Sequence, residues 1–342
     1  MSNDELYIKR CIELAQKALG KTYPNPLVGS VIVHNGKIIG EGYHHKAGEN
    51  HAEINAINSV EDKSLIPEST IYVSLEPCAH YGKTPPCALK IKELGFKKVV
   101  IGTMDSHDKV NGKGKKIIQD AGIEAVSGVL EKECIQLNKR FFTYHEKKRP
   151  YIILKWAESG DGFLDKDFKP TAISNSLVNQ FVHQLRADEH AILVGTHTAL
   201  NDNPGLTVRN AEGVNPVRIL IDFDLKVPRD FKMYNDEAQT LVINSVQEGT
   251  ENNTKLIKVG KENFLSDLMT ALYKEQIQSV IIEGGSYTLL QFIKANLWDE
   301  AIVIKNEGLK LENGTKAPIM DVKPHEIKTF RDNTISFYKP II

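Results

Sequence analysis

Two stretches decide the fold of the first half of the chain: His51-Ala52-Glu53, and Pro77-Cys78-Ala79-His80-Tyr81-Gly82-Lys83-Thr84-Pro85-Pro86-Cys87. The imidazole of His51 and the thiols of Cys78 and Cys87 form a donor set for one zinc ion. Three protein ligands leave the fourth tetrahedral position to water, the pattern of a catalytic and not a closed structural site. Glu53 then stands as an acid/base that is not a ligand. His80 is the competing fourth donor. As a ligand it would close the site, so we read it as facing a substrate.

His-x-Glu followed by Pro-Cys-x-x-Cys marks zinc deaminases of nucleobases. The first half of that pattern is present. The second departs, because eight residues separate Cys78 from Cys87 where the pattern has two. The chemistry expected of such a site is hydrolytic. A zinc ion lowers the pKa of its water toward about 7. Glu53 accepts the proton, passes it to a ring nitrogen and helps ammonia leave.

Working outward, Tyr7, Cys11, Leu14, Ala15 and Ala18 follow helical spacing up to Gly20. Val28 to His34 and Lys37 to Glu41 flank Asn35-Gly36, a hairpin signal. A helix starts near His51, and only at that start can His51 and Glu53 share a site, since mid-helix side chains two apart diverge. Thr70 to Leu75 is a strand, and Cys87 opens a helix ending near Gly95. A helix N-terminus lowers a thiol pKa, and the thiolate is the form that binds metal. Lys97 to Gly102 and Ile123 to Val126 read as strands around a helix from Lys113 to Asp120. Glu131 to Tyr144 reads as one closing helix. The alternation predicts an α/β sheet with helices on its faces. Asn25 is either a turn residue or a reader of a heterocycle edge. Asp105 is either a turn residue or a ligand-facing group at a strand end.

The chain has 342 residues, about two domains' worth. Its formal net charge of -1, without a basic block, argues against a nucleic-acid surface. Met1-Ser2-Asn3-Asp4-Glu5 is no signal peptide, and no apolar run approaches the roughly 20 residues of a membrane span. Cys11, Cys78, Cys87 and Cys134 are too few for a disulfide framework, so a reducing cytoplasm is expected. The charged run His145-Glu146-Lys147-Lys148-Arg149-Pro150 reads as the linker between domains at 1–146 and 149–342.

In the second half, Tyr151 to Lys155, Ala191 to Gly195, Val217 to Asp222, Leu241 to Asn244 and Ser279 to Glu283 read as strands. Ser174 to Arg186 and Phe264 to Glu275 read as helices, with Ser174 or Asn175 capping the first. Thr198 to Gly205 reads as a loop. Glu283-Gly284-Gly285 joins a strand to a helix from Ser286, where backbone N–H groups can meet a phosphate. Gly-Gly alone is a weak signal and is not the dinucleotide fingerprint. Arg186 and Arg209 could bind a sugar phosphate through paired N–H donors, although each taken singly is more often a solvated or salt-bridged surface arginine.

Pro24-Asn25-Pro26-x-Val28-Gly29, Gly42-x-His44, His51-Ala52-Glu53 and the Glu76-to-Cys87 loop together resemble the bifunctional deaminase–reductase family of riboflavin biosynthesis, which uses the longer cysteine loop. Lys155-x-Ala157-x-Ser159-x-Asp161-Gly162, Leu185-Arg186, Asp202-Asn203-Pro204-x-Leu206-Thr207-x-Arg209 and Glu283-Gly284-Gly285 resemble its reductase half. The resemblance implies a cytidine-deaminase-like domain followed by a dihydrofolate-reductase-like domain. It implies deamination of a pyrimidine ribosylamine phosphate, then NADPH-dependent reduction of the ribosyl chain. By position, His51, Cys78 and Cys87 would hold Zn2+, and Glu53 would move the proton. Asn25, His44, His80, Lys83 and Asp105 would contact the first substrate. Ala157, Thr198, Asp202 and the run Gly285, Ser286, Tyr287, Thr288, Leu289, Leu290 and Gln291 would contact NADPH. Lys155, Arg186, Leu206, Arg209 and Glu283 would contact the second substrate. The partner is thus a small molecule, with no nucleic acid or membrane, and a homo-oligomer is the expected assembly.

The chain also departs from the family. Asp105-Ser106-His107-Asp108 replaces the usual Asp-Pro-Asn-Pro. Ser159-Gly160-Asp161-Gly162 replaces Ser-Leu-Asp-Gly. Ala172 stands where the family has Trp, and Ile304 to Ala317 replaces a Pro-x-Leu-Leu-Gly-Gly region. Two other readings stay open: a deaminase of another nucleobase with a non-reducing phosphate-binding second domain, and a zinc-stabilised binding module without catalysis.

Overall fold

The structure is a computed structural model that describes residues 2–81, 85–106 and 111–341. The chain divides into two compact units, Met1–Lys147 and Lys148–Ile342.

The first unit runs α1 (Asn3–Gln16), β1 (Gly29–His34), β2 (Lys37–Tyr43), α2 (Ala52–Ser59), β3 (Thr70–Leu75), α3 (Cys87–Leu94), β4 (Lys98–Thr103), α4 (Lys113–Asp120), β5 (Glu124–Ser127), α5 (Glu131–Leu137) and α6 (Lys139–Lys147). Its sheet has the order β2-β1-β3-β4-β5. The β1–β2 hairpin turns on Asn35 (φ 48°) and Gly36 (φ 75°), both left-handed as a two-residue turn of this kind demands. β3, β4 and β5 run parallel. Alternation along the strands covers both faces. Ile32, Ile71, Val73, Val99 and Ile101 pack with residues of α2, α3 and α4. Val31, Val33, Tyr72 and Val100 face Ile8, Cys11 and Leu14 of α1 and Cys134 of α5.

Two expectations need correction here. The closing helix is not continuous, because Asn138 interrupts it between α5 and α6. Its buried amide donates to the Leu27 carbonyl and its oxygen accepts the Leu27 N–H, both at 2.8 Å. Asn138 has φ -105° and ψ 23° there, off the regular helical backbone. The charged run after Tyr144 is also helical as far as Lys147. Amphipathic spacing with Phe141, Phe142 and Tyr144 buried outweighs its charge.

The second unit runs β6 (Tyr151–Ser159), α7 (Ser176–Asp188), β7 (Ala191–Gly195), α8 (Thr196–Asp202), β8 (Val217–Ile221), β9 (Thr240–Asn244), β10 (Gly249–Glu251), β11 (Thr254–Lys258), α9 (Phe264–Lys274), β12 (Ser279–Ile282), α10 (Ser286–Lys294), β13 (Glu300–Asn306), β14 (Glu326–Phe330) and β15 (Asn333–Tyr338). The sheet order is β10-β11-β9-β8-β7-β12-β6-β13-β15-β14. Its centre, from β11 to β13, is parallel, which suits the near-continuous apolar runs there. Leu268, Met269 and Leu272 of α9 and Leu289 and Phe292 of α10 cover one face. Val178 and Val182 of α7 and Ala199 of α8 cover the other. Asn175 caps α7 by accepting the Val178 N–H at 3.0 Å.

The segment read as a loop from Thr198 opens instead as α8 and stops at Asn203, which is left-handed (φ 40°). Ala199, fully buried, gives this short helix its core contact. Strands β13 to β15 lie beyond what periodicity indicated. β14 is exposed along most of its length, so it lacks the apolar alternation of a covered strand. Among the described residues no helix is long and apolar enough to cross a membrane.

Candidate active sites

In the first unit the C-terminal end of the central strand β3 and two helix starts converge. His51 is the N-cap of α2, with extended backbone (φ -70°, ψ 163°), and Glu53 lies in the first turn. Cys87 is the first residue of α3, and its N–H donates to Cys78 Sγ at 3.2 Å. His51 Nδ1 stands 3.5 Å from Cys78 Sγ and 3.4 Å from Cys87 Sγ. The three donor atoms lie within 4.8 Å of one another, and among the described residues the group has only these three members. His80 is outside it and exposed. Without a cation, the hydrogen bond from Cys87 holds Cys78 down to about 4, and giving that bond pushes Cys87 up. A metal ion takes the place of those shared protons. The donor chemistry and spacing fit zinc.

Glu53 is 3% exposed, and burial pushes its carboxyl up to about 7. A base in that range is suited to proton transfer at neutral pH. His44 is buried beside His51, their rings edge to face with centroids 5.5 Å apart. His44 Nδ1 lies 3.0 Å from the Asn50 carbonyl, which only accepts, so that nitrogen carries the proton. Nε2 is then the acceptor for the Asn25 amide at 3.1 Å. Burial lowers the His44 pKa, which keeps this arrangement neutral. Asp105 is buried just past β4, and Lys83 lies outside the described residues. Glu76 entered the sequence analysis only as the first residue of the cysteine loop. Its buried carboxylate in fact accepts backbone N–H groups from Asp105, Gly112 and Lys115.

The second unit holds a cavity of about 1610 Å³. Ala157, Thr198, Asp202, Gly285, Ser286, Tyr287, Thr288 and Gln291 line it, as do Lys155 and Glu283. Two of the expected cofactor contacts do not. Leu289 is fully buried among core residues, and Leu290 is absent from the wall. Six consecutive helical residues cannot share one side, because each turns about 100° from the last. Gly284 is required by packing, since a Cβ there would lie 2.8 Å from Thr288 Cβ. The Gly285 N–H donates to Thr198 Oγ1 at 2.9 Å, tying α10 to α8. The helix start facing the cavity and the size of the space fit a dinucleotide phosphate.

Glu283 bridges two cations: Lys155 Nζ at 3.1 Å and Arg186 Nη2 at 2.9 Å. Burial works against its ionisation most strongly, yet the two cations hold it down to about 2. Arg186 therefore reaches the cavity wall through Glu283. Leu206 and Arg209 are placed elsewhere. Leu206 is 3% exposed in a separate core cluster with a left-handed backbone (φ 54°), and Arg209 is exposed. His183, which sequence reading passed over, is buried and accepts the Arg209 N–H at 3.1 Å.

A three-donor metal cluster beside a buried glutamate, followed by a parallel-sheet unit with a nucleotide-sized cavity, defines a zinc deaminase joined to a reductase. Residues 1–103 match the cytidine and deoxycytidylate deaminase zinc-binding region, and residues 150–306 match the RibD C-terminal domain. The riboflavin biosynthesis protein RibD of Aquifex aeolicus is 37% identical over 98% of both chains. That of Escherichia coli is 36% identical over 88% of this chain and 86% of its own. The crystal structure of the diaminohydroxyphosphoribosylaminopyrimidine deaminase/5-amino-6-(5-phosphoribosylamino)uracil reductase of Thermotoga maritima is 35% identical, with TM-score 0.89 over 99% of each chain. The chain belongs to the RibD family of riboflavin biosynthesis proteins. It is a bifunctional enzyme of that pathway, a deaminase that uses zinc and a reductase that uses NADPH.

Proposed function

We propose the following division of labour. His51, Cys78 and Cys87 hold the zinc ion, which when bound supplies an acidified water for attack on the amino-bearing ring carbon. Glu53 takes one proton from that water and gives it to the ring nitrogen, then takes the second from the hydroxyl on the attacked carbon and gives it to the amino group, which leaves as ammonia. Asn25, its amide held by neutral His44, reads the ring edge, and His80, Lys83 and Asp105 complete the substrate contacts. The substrate is a diaminopyrimidine ribosylamine 5'-phosphate. In the second unit NADPH, when bound, supplies hydride to the ribosyl carbon. The start of α10 would hold its phosphates, and Ala157, Thr198 and Asp202 would line its path. Lys155 and Glu283 lie beside the reacting sugar, while Arg186 keeps Glu283 ionised. Arg209 is assigned the sugar phosphate, and Leu206 anchors the segment that carries it by packing into its own core cluster. Phe168, Phe223 and Tyr287, all on the cavity wall, offer aromatic faces where Ala172 has none.

The observation that carries the reading is the convergence of His51 Nδ1 and both sulfurs within 3.4–3.5 Å next to buried Glu53. The net charge of -1 and the four free cysteines support a cytoplasmic enzyme acting on a small molecule and not on nucleic acid. A homo-oligomer belongs to the same reading, and light scattering on purified protein tests it. The functional test follows ammonia release and NADPH loss together on the pyrimidine phosphate. One ammonia and one NADPH per substrate is expected. Ammonia without NADPH or NADH oxidation would refute the second half of the assignment.

A further inference from the structure

Glu76 sits at the C-terminal end of β3, two residues before Cys78, and is 4% exposed. Its Oε2 accepts the Gly112 N–H at 2.9 Å and the Asp105 N–H at 3.3 Å, and its Oε1 accepts the Lys115 N–H at 3.1 Å. Gly112 is the N-cap of α4 and has no side chain to satisfy the first amides of that helix. The carboxylate of Glu76 does this from another element, with its charge at the positive helix end. The junction is tight as well. A Cβ on Gly114 would lie 1.9 Å from the Pro77 carbonyl oxygen, so α4 rests directly on the peptide leading to Cys78. The Glu76 N–H in turn donates to the Thr103 carbonyl at 3.0 Å, joining the ends of β3 and β4.

One side chain therefore ties together the strand that delivers Cys78, the strand that delivers Asp105, and the helix behind both. We propose that Glu76 is a positioning residue for deamination, holding Asp105 in register with the metal cluster. This rests on the reading of Asp105 as a substrate contact. Glu76 itself touches neither the metal donors through its carboxylate nor the substrate.

Glu76→Gln tests it, because the amide keeps the shape but turns an N–H₂ toward backbone donors. Zinc content and NADPH oxidation on the deaminated product should stay at wild-type levels. Deaminase kcat/KM should fall on the order of 10–100-fold, mostly through KM. Asp105→Asn should produce a comparable loss, and the double variant should be no worse than the poorer single one. A fall in kcat/KM for Asp105→Asn but not for Glu76→Gln overturns the positioning role and leaves the Asp105 reading standing. No change in either variant removes the Asp105 reading, and the proposal with it. Additive losses, or loss of zinc in Glu76→Gln, also overturn it, since the glutamate would then serve some other part of the site. Should Glu76→Gln not accumulate as folded protein, Glu76→Asp supplies the comparison, keeping the charge but not the reach.

Discussion

Glu53 shows how much a single position can decide. It is a carboxylate placed by helix geometry within reach of three metal donors yet outside their set, and burial raises its pKa to about 7. Glu53→Gln removes the proton acceptor without removing a ligand. Zinc stoichiometry by metal analysis should be unchanged, and deamination should drop by about 10²–10⁴-fold. Normal turnover in that variant would end the proposed role. This residue and the three donors were legible in the sequence, because each stands at a strand or helix boundary that sequence signals mark well. His183 and the bracing role of Glu76 were not. Their partners, the Arg209 and Gly112 amides, lie 26 and 36 residues away, and hydrogen bonds across such separations leave no periodic trace.

Between elements, departures from the family pattern explain one another. Gly160 replaces a usual leucine, and a Cβ there would lie 2.5 Å from the Glu307 carbonyl oxygen. The Gly160 N–H donates to the Leu309 carbonyl at 2.8 Å, and Asp161 accepts the Leu311 and Glu312 N–H groups. The segment after β13, which also departs from the family, thus closes onto the turn that Gly160 makes possible. Gly160→Leu should therefore destabilise the second unit by about 1–3 kcal/mol through overpacking. The check is a lower urea midpoint for that unit, with the deaminase unaffected. Neither departure is interpretable alone, since a glycine in sequence does not say which backbone comes close. The loop from Thr198 that proved to be α8 failed for a related reason. Seven residues carry too few turns for a helical period to be read.

For the whole chain, two units with separate sites predict separable activities. Treatment with a strong zinc chelator should abolish ammonia release while NADPH oxidation on the deaminated product continues, measured on the same sample. In the second unit acid should act through two histidines. Burial lowers His183 and holds His190 down to about 4, against 6.5 when free. A folded state that prefers neutral imidazole keeps its full stability above about pH 6.5. It loses stability as the pH falls toward the folded value, because the unfolded chain takes up the protons. His190 alone contributes on the order of 1–3 kcal/mol to this loss. Urea midpoints at pH 7.5 and 5 should differ accordingly, and His190→Asn should narrow the gap.

The sequence by itself determined the His/Cys donor cluster, the glutamate beside it, the hairpin, the strand–helix alternation and the junction at Glu283-Gly284-Gly285. These rest on local chemistry: donor type, turn residues, and the period with which apolar side chains meet a sheet. Tertiary structure alone decided which predicted contacts reach the cavity, where Leu289 and Leu206 turn into the core instead. It alone joined Lys155, Glu283 and Arg186 into one charged group, and Asn138 to the Leu27 backbone. Such pairings close over long stretches of chain, and burial in the folded sheet, which penalises an unpaired polar group, is what obliges them to form.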